Sequence, residues 1–227
     1  MINRTLRSLR IPIFYFNLTK WELTHKSQTR FPTFVPMTDV DKGFIPIRAN
    51  YDSLTAYKKS ECIYDVTFHF AHAYLSKGDR TIDQMIQAAR SGKQNIAEGI
   101  EAGATSKETG IKLVNVARAS LQELLLDYKD YLSVRNLEQW NVNSEKGIRC
   151  RRVCAQQNDS AYYRAAIQKR NDTAIANIAI TLIFQCDKLL RGLIEHLKTE
   201  FLEKGGIKEE MARARLEARK DKYGGNK

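Results

Sequence analysis

Only four prolines and 12 glycines interrupt the 227 residues, and with 43% apolar and 28% charged side chains this is the composition of a soluble, helix-rich chain able to bury a core. The length allows one medium domain with extensions and excludes a large multidomain enzyme. Cysteine is sparse too. Cys62, Cys150, Cys154 and Cys186 form one C-x-x-x-C pair and otherwise lie far apart, so neither a disulfide framework nor a zinc ribbon is indicated. They read as thiols of a reducing cytoplasm. No segment reaches the roughly 18 to 20 apolar residues of a membrane helix. The early run Ile11 to Phe16 is broken by Pro12 and, with no small-residue cleavage site after it, makes a poor secretion signal. A cytoplasmic protein with no membrane partner is expected.

Catalytic templates are missing as well. No nucleophile elbow, P-loop or dinucleotide fingerprint occurs, and Gly99 and Gly103 form no phosphate cradle. His69 and His72 could share a metal with Asp65, but a di-metal bundle needs Glu-x-x-His pairs on two helices, which this sequence does not supply. Neither metal nor cofactor is expected. Cys150 and Cys154 lie among arginines that could acidify a thiol, yet they have no fixed redox partner.

What is present is positive charge, +11 overall and unevenly spread. Residues 1–36 carry Arg4, Arg7, Arg10, Lys20, Lys26 and Arg30 against Glu22, and residues 204–227 are also clearly basic, which leaves 37–203 near neutrality. Nucleic-acid binding therefore cannot rest on the overall charge. It rests on local clusters: Lys146, Arg149, Arg151 and Arg152 in a predicted loop, Arg90 and Lys93 on a helix, and Arg213, Arg215 and Arg219 in the tail. Such side chains neutralise phosphates and release counterions. On exposed faces they are equally compatible with simple solvation. Tyr162 and Tyr163 beside the cluster could stack on bases or pack internally.

Residues 1–36 lack sustained periodicity, with Pro12, Pro32 and Pro36 interrupting. They read as a weakly ordered extension, with Met37 a candidate natural start. Helical spacing follows. Asp52 or Ser53 caps a first helix carrying Leu54, Tyr57, Ile63, Val66, Phe70 and Tyr74, which ends near Gly78. Asp79 or Thr81 caps a second, with Met85, Ala89 and Ile96 on its stripe and Gly99 and Gly103 at its close. Thr105 and Glu108 fit a capping box for a third, whose seam runs through Ile111, Val114, Leu121, Leu125, Tyr128 and Leu132. Residues 136–160 read as a loop. A fourth helix begins near Asp172 and stops at Gly205-Gly206, before a short charged helix. Val116, Leu124, Leu126, Ile180, Ile183 and Leu190 widen the stripes beyond one core and suggest a second buried face. The prediction is all-α: an antiparallel up-and-down four-helix bundle over 37–203, an extended N-terminal segment over 1–36, and a basic helical tail over 204–227.

Two stretches carry a resemblance. Gln84 to Gly99, containing Arg90-Ser91 and Asn95-Ile96-Ala97-Glu98-Gly99, and Lys112 to Leu124, containing Ala119-Ser120-Leu121-Gln122-Glu123-Leu124, resemble the bacterial four-helix-bundle family of the 23S rRNA intervening-sequence protein. The ending Phe201 to Arg219 is similar to its four-helix-bundle suffix subgroup. The resemblance implies an antiparallel bundle assembled as a homopentamer, nucleic acid as a partner in a related accessory protein, and no catalytic residues. Ser91 and Asn95 are placed to hydrogen-bond between helices, Ala97 and Gly99 to permit close approach, and Glu98 and Glu123 to pair with Arg90 or Arg118. The expectation is thus a non-enzymatic, homo-oligomeric nucleic-acid-binding or accessory protein that uses the basic loop and tail. The alternative is an adaptor that docks a protein without nucleic acid.

Overall fold

The computed structural model describes residues 50–224. The expectations for 1–36 lie outside them. The described chain is all-α, with α1 (Thr55–Tyr74), α2 (Thr81–Gly103), α3 (Lys107–Val134), α4 (Glu145–Gln156), α5 (Ser160–Ile167), α6 (Asp172–Lys204) and α7 (Ile207–Gly224). All four prolines precede residue 50, so no helix loses a backbone donor to one.

Side-chain caps set several starts. Ser106, Ser144, Asp159 and Asn171 each accept from a backbone N–H of the helix they open. The Thr105–Glu108 box is replaced by a cap one residue later: Ser106 takes the Thr109 N–H, Thr105 donates back to the Ala102 carbonyl, and Glu108 pairs with Lys112. Asp79 accepts from the Thr81 N–H at 2.9 Å, which holds its carboxyl below the usual range. Before α1 the expected caps are not used; Ser53 bonds to Asn50 in a turn, and Leu54 stands at the cap position. Gly78 (φ +89°) turns the chain after α1 has already ended, and Gly205 (φ +78°) stops α6, both in the left-handed region that favours glycine.

Two larger expectations change. Residues 136–160 are not a loop throughout, because α4 and the start of α5 occupy much of them. Gly147 misleads as a loop former: it lies inside α4, where a Cβ would collide with the Asn141 carbonyl oxygen, so its smallness lets the preceding turn fold against the helix. Gly99 likewise does not close α2; it is buried within the helix, where a Cβ would meet a Val114 methyl at 2.9 Å.

α1 packs on α2 and α6, and α3 packs on α2 and α6, while α5 covers α1 and α4 covers α6. The core between them includes Ile63, Val66, Phe70, Met85, Ile96, Leu121, Ile175 and Leu182. Phe70 meets the rings of Tyr128 and Tyr131 at 5.0 and 4.7 Å, and the Tyr128 hydroxyl donates to Thr67. Between α2 and α3, Gly92 faces Leu121, Gly99 faces Val114, and Gly103 faces Gly110. Of the residues that widened the stripes, Leu124, Ile180, Ile183 and Leu190 are buried within the chain, while Val116 and Leu126 are 48% and 57% exposed. The stretch Asp172–Lys220 also contains an 18-residue window apolar enough, by length and composition, to cross a membrane, which the residue-by-residue reading missed. Within this fold 61% of that window is buried.

The glycine contact between α2 and α3 yields a paired prediction. A Cβ at Gly110 would come 2.7 Å from the Gly103 Cα and 2.8 Å from the Gly99 carbonyl oxygen, so Gly110→Ala should destabilise by about 1–3 kcal/mol. A Cβ at Gly103 finds its nearest atom at 3.6 Å, an ordinary contact, so Gly103→Ala should be tolerated. Thermal unfolding of both variants checks this, and equal melting temperatures would contradict it.

Candidate nucleic-acid interface

Of the three basic clusters, the one on α4 is held most firmly. Gly147, Cys150 and Cys154 turn inward on this short helix. Helical spacing then sends Arg149 and Arg152 to the opposite side with Arg151 flanking, and all three are exposed. Among the described residues, none of the three has an acid within ion-pair reach. Lys146 differs, since its ammonium lies 2.9 Å from Glu138.

Three side chains anchor this helix. Asn177 of α6, 2% exposed, accepts from the Trp140 N–H at 2.7 Å and donates to the Glu138 carbonyl at 2.9 Å, which pins the approach to α4. Gln185, two turns along α6, donates to the Arg151 carbonyl. At the far end the Lys59 ammonium of α1, 2% exposed, donates to the Cys154 carbonyl at 2.7 Å. That oxygen belongs to the last turn, where helix carbonyls lack an internal partner and the helix dipole favours a cation. Burial lowers the Lys59 pKa, against which the neighbouring Cys154, Cys62 and Cys186 act. Burial also pushes Cys62 and Cys186 up to about 12, so these two are neutral thiols at pH 7. Cys150 and Cys154 lie 3.9 Å apart, and the hydrogen bond between them leaves Cys150 the more acidic thiol, below its ordinary value.

The other clusters sit elsewhere. Arg90 is exposed on α2, and Lys93, one turn later, rests its ammonium 4.5 Å from the Tyr64 ring centroid. Arg213, Arg215 and Arg219 are exposed on α7. The three groups therefore stand on separate helices, with α4 mounted on α6 and α2 packed against α1 and α3. Tyr163 belongs to the interior, with its hydroxyl donating to the Gln157 carbonyl, while Tyr162 stays 38% exposed.

Of the motif residues, Ser91, Gly99, Ser120 and Leu121 lie at the α2–α3 contact. The Ser91 and Ser120 hydroxyls meet at 2.9 Å across it, and the Asn95 amide donates back to the Ser91 carbonyl within α2. Ile96, Gly99, Leu121 and Leu124 are buried, and Ala97 is half-buried. Glu98 and Glu123 are exposed and pair with neither Arg90 nor Arg118. Arg118 instead reaches α6, where its Nε lies 2.8 Å from Asp187, a carboxylate that Arg191 shares. The heptad spacing gave no sign of that partner, 69 residues away. Also unforeseen is a groove of about 590 Å³ between α1 and α5, lined by Tyr64, Phe68, His72, Arg164 and Gln168 among others. Its α1 residues recur at helical spacing, but only the fold brings α5 beside them. Among the described residues no group of three or more histidine, cysteine or acidic side chains is disposed to hold a metal.

No protein-family model, curated protein or solved structure matches the chain.

The Lys59 anchor is testable through pH. A lysine whose pKa is lowered by folding is more fully protonated when unfolded, so its contribution to stability rises with pH until the ordinary value of 10.5 is passed. Denaturant titrations at several pH values should therefore show the stability of wild type relative to Lys59→Met growing as pH rises toward that limit. Parallel pH profiles would contradict the assignment.

Proposed function

We propose that the protein is a non-enzymatic nucleic-acid-binding or accessory factor whose principal contact surface is the arginine side of α4, supplemented by the α7 arginines. The observation that carries this reading is the contrast in how cations are used. Lys107, Arg118, Arg164 and Arg191 are committed to acids on the same or neighbouring helices, whereas Arg149, Arg151 and Arg152 stand without one on a helix fixed from beneath. Unspent guanidinium groups on a fixed helix gain phosphate contacts without first breaking internal pairs, and they are well suited to bidentate phosphate recognition. Readout by such contacts is of the backbone, so affinity should depend strongly on salt and weakly on sequence.

The same proposal includes an antiparallel up-and-down four-helix bundle made of α1, α2, α3 and α6, with membership of the family its motifs resemble. Support for the arrangement comes from pair registers: numbers fall on α3 as they rise on α2 from Gly92 to Gly103, and Lys107 and Arg118 meet Glu200 and Asp187 in reverse order on α6. Cytoplasmic residence and a homo-oligomer, pentameric in the resembled family, complete it. A protein-docking adaptor is the second reading, favoured by the exposure of Val116 and Leu126 on α3 and Phe184 on α6. The two readings differ in whether nucleic acid is held at physiological salt.

Fluorescence anisotropy with a labelled RNA across a salt series tests the main reading. Arg149→Gln/Arg152→Gln should weaken binding and reduce the slope of log affinity against log salt by about 2, one for each lost phosphate contact. Lys112→Gln, which changes an exposed cation paired with Glu108, should leave the slope nearly unchanged. Wild-type binding that is absent, or insensitive to salt and to both arginines, would overturn the reading.

A further inference from the structure

We infer that the groove between α1 and α5 is a stacking site for unpaired nucleobases, so that the protein takes single-stranded nucleic acid there while the α4 arginines hold the backbone. This rests on the nucleic-acid reading above and adds a second, chemically different contact. The groove floor is aromatic and open. Phe68 is 48% exposed, and its ring lies 4.4 Å from the His72 ring, which is oriented by contact of Nδ1 with the Phe68 carbonyl at 2.8 Å. Tyr64, one turn earlier, sits 6.3 Å from Phe68, so three flat rings follow one another along a single side of α1. A large exposed aromatic side chain is costly to leave in water unless something covers it, and bases offer flat π-faces of matching character whatever their identity.

Both edges of this aromatic row carry positive charge. On the α2 side Lys93 lies over Tyr64, with Arg90 one turn before it. On the α5 side Lys169 and Arg170 are exposed just beyond the helix. The acid in the groove, Asp65, is paired with Arg164, so that pair adds no net charge and the positive surplus is that of Lys93, Arg90, Lys169 and Arg170. Gln168, whose amide nitrogen gives one hydrogen to the Arg164 carbonyl, keeps a second N–H and an acceptor oxygen at the rim, groups that base edges use. Fixed rings between two cationic edges suit a strand whose bases are turned inward and whose phosphates run outside. A duplex, with its bases stacked internally, cannot use them.

The test compares the full-length chain with Phe68→Ala and Phe68→Trp, using a labelled single-stranded uridine oligomer and a blunt RNA duplex as probes. Phe68→Ala should weaken oligomer binding about tenfold, in line with loss of one base–aromatic stack, without changing the salt slope or the duplex affinity. Phe68→Trp should restore binding, and its indole fluorescence should be quenched by the oligomer. Since Phe68 is half exposed, both variants should melt as wild type does. Unchanged oligomer binding in Phe68→Ala, or equal loss for oligomer and duplex, overturns the stacking site but leaves the α4 surface standing if Arg149→Gln/Arg152→Gln still lowers the slope. Failure of the wild-type chain to bind either probe overturns both.

Discussion

A buried ammonium with one strong acceptor fixes the part of this molecule on which the functional account depends. Taking the Lys59 charge out of water is expensive, and what offsets it is a 2.7 Å hydrogen bond to a carbonyl at the negative end of α4. The arrangement is mutual. Without α4, Lys59 would be a buried cation lacking its acceptor; without Lys59, the last turn of α4 would bury an unpaired carbonyl. A helix of 12 residues is marginal in isolation, so its geometry comes from this anchor and from Asn177 and Gln185 on α6. The outward arginines are mounted on that anchored backbone.

Other buried polar groups act in the same manner. Asp187, 6% exposed, is held by Arg118 of α3 and Arg191 of its own helix, and Thr67 takes the Tyr128 hydroxyl. Each links helices that apolar packing alone would allow to slide. Small residues fix spacing instead of register: Gly99, Gly103 and Gly110 bring α2 and α3 so close that a side chain has no room at the tightest point. The interior thus combines a general apolar driving force with a few specific polar links, and both surfaces considered for binding lie outside it.

Much of this was legible in the chain. The stripes through Val66 and Phe70, Met85 and Ile96, Val114 and Leu121, and Ile175 and Leu182 follow helical spacing because burial selects for it, and the all-α class follows. Local composition served less well between 136 and 160, where Asn141, Ser144 and Gly147 look like loop formers although Ser144 caps a helix and Gly147 fits beneath a carbonyl. Residue type does not distinguish a glycine that frees the backbone from one that makes room for a neighbour. Long-range partners were invisible for a different reason: Lys59 with Cys154, Arg118 with Asp187 and Phe68 with the α5 groove are each defined by the packing of distant segments, and no spacing rule encodes them. The basic clusters could be read as residues, but not which of their cations would be consumed by acids.

The most direct test of the central claim is size-exclusion chromatography with light scattering on protein prepared without nuclease, with absorbance recorded at two wavelengths that separate nucleic acid from protein. The account predicts a multimer that carries nucleic acid at low salt and releases it as salt is raised. A multimer whose absorbance is that of protein alone at every salt concentration, with no RNA or DNA retained on addition, would contradict it and leave protein docking as the reading of the exposed helix faces.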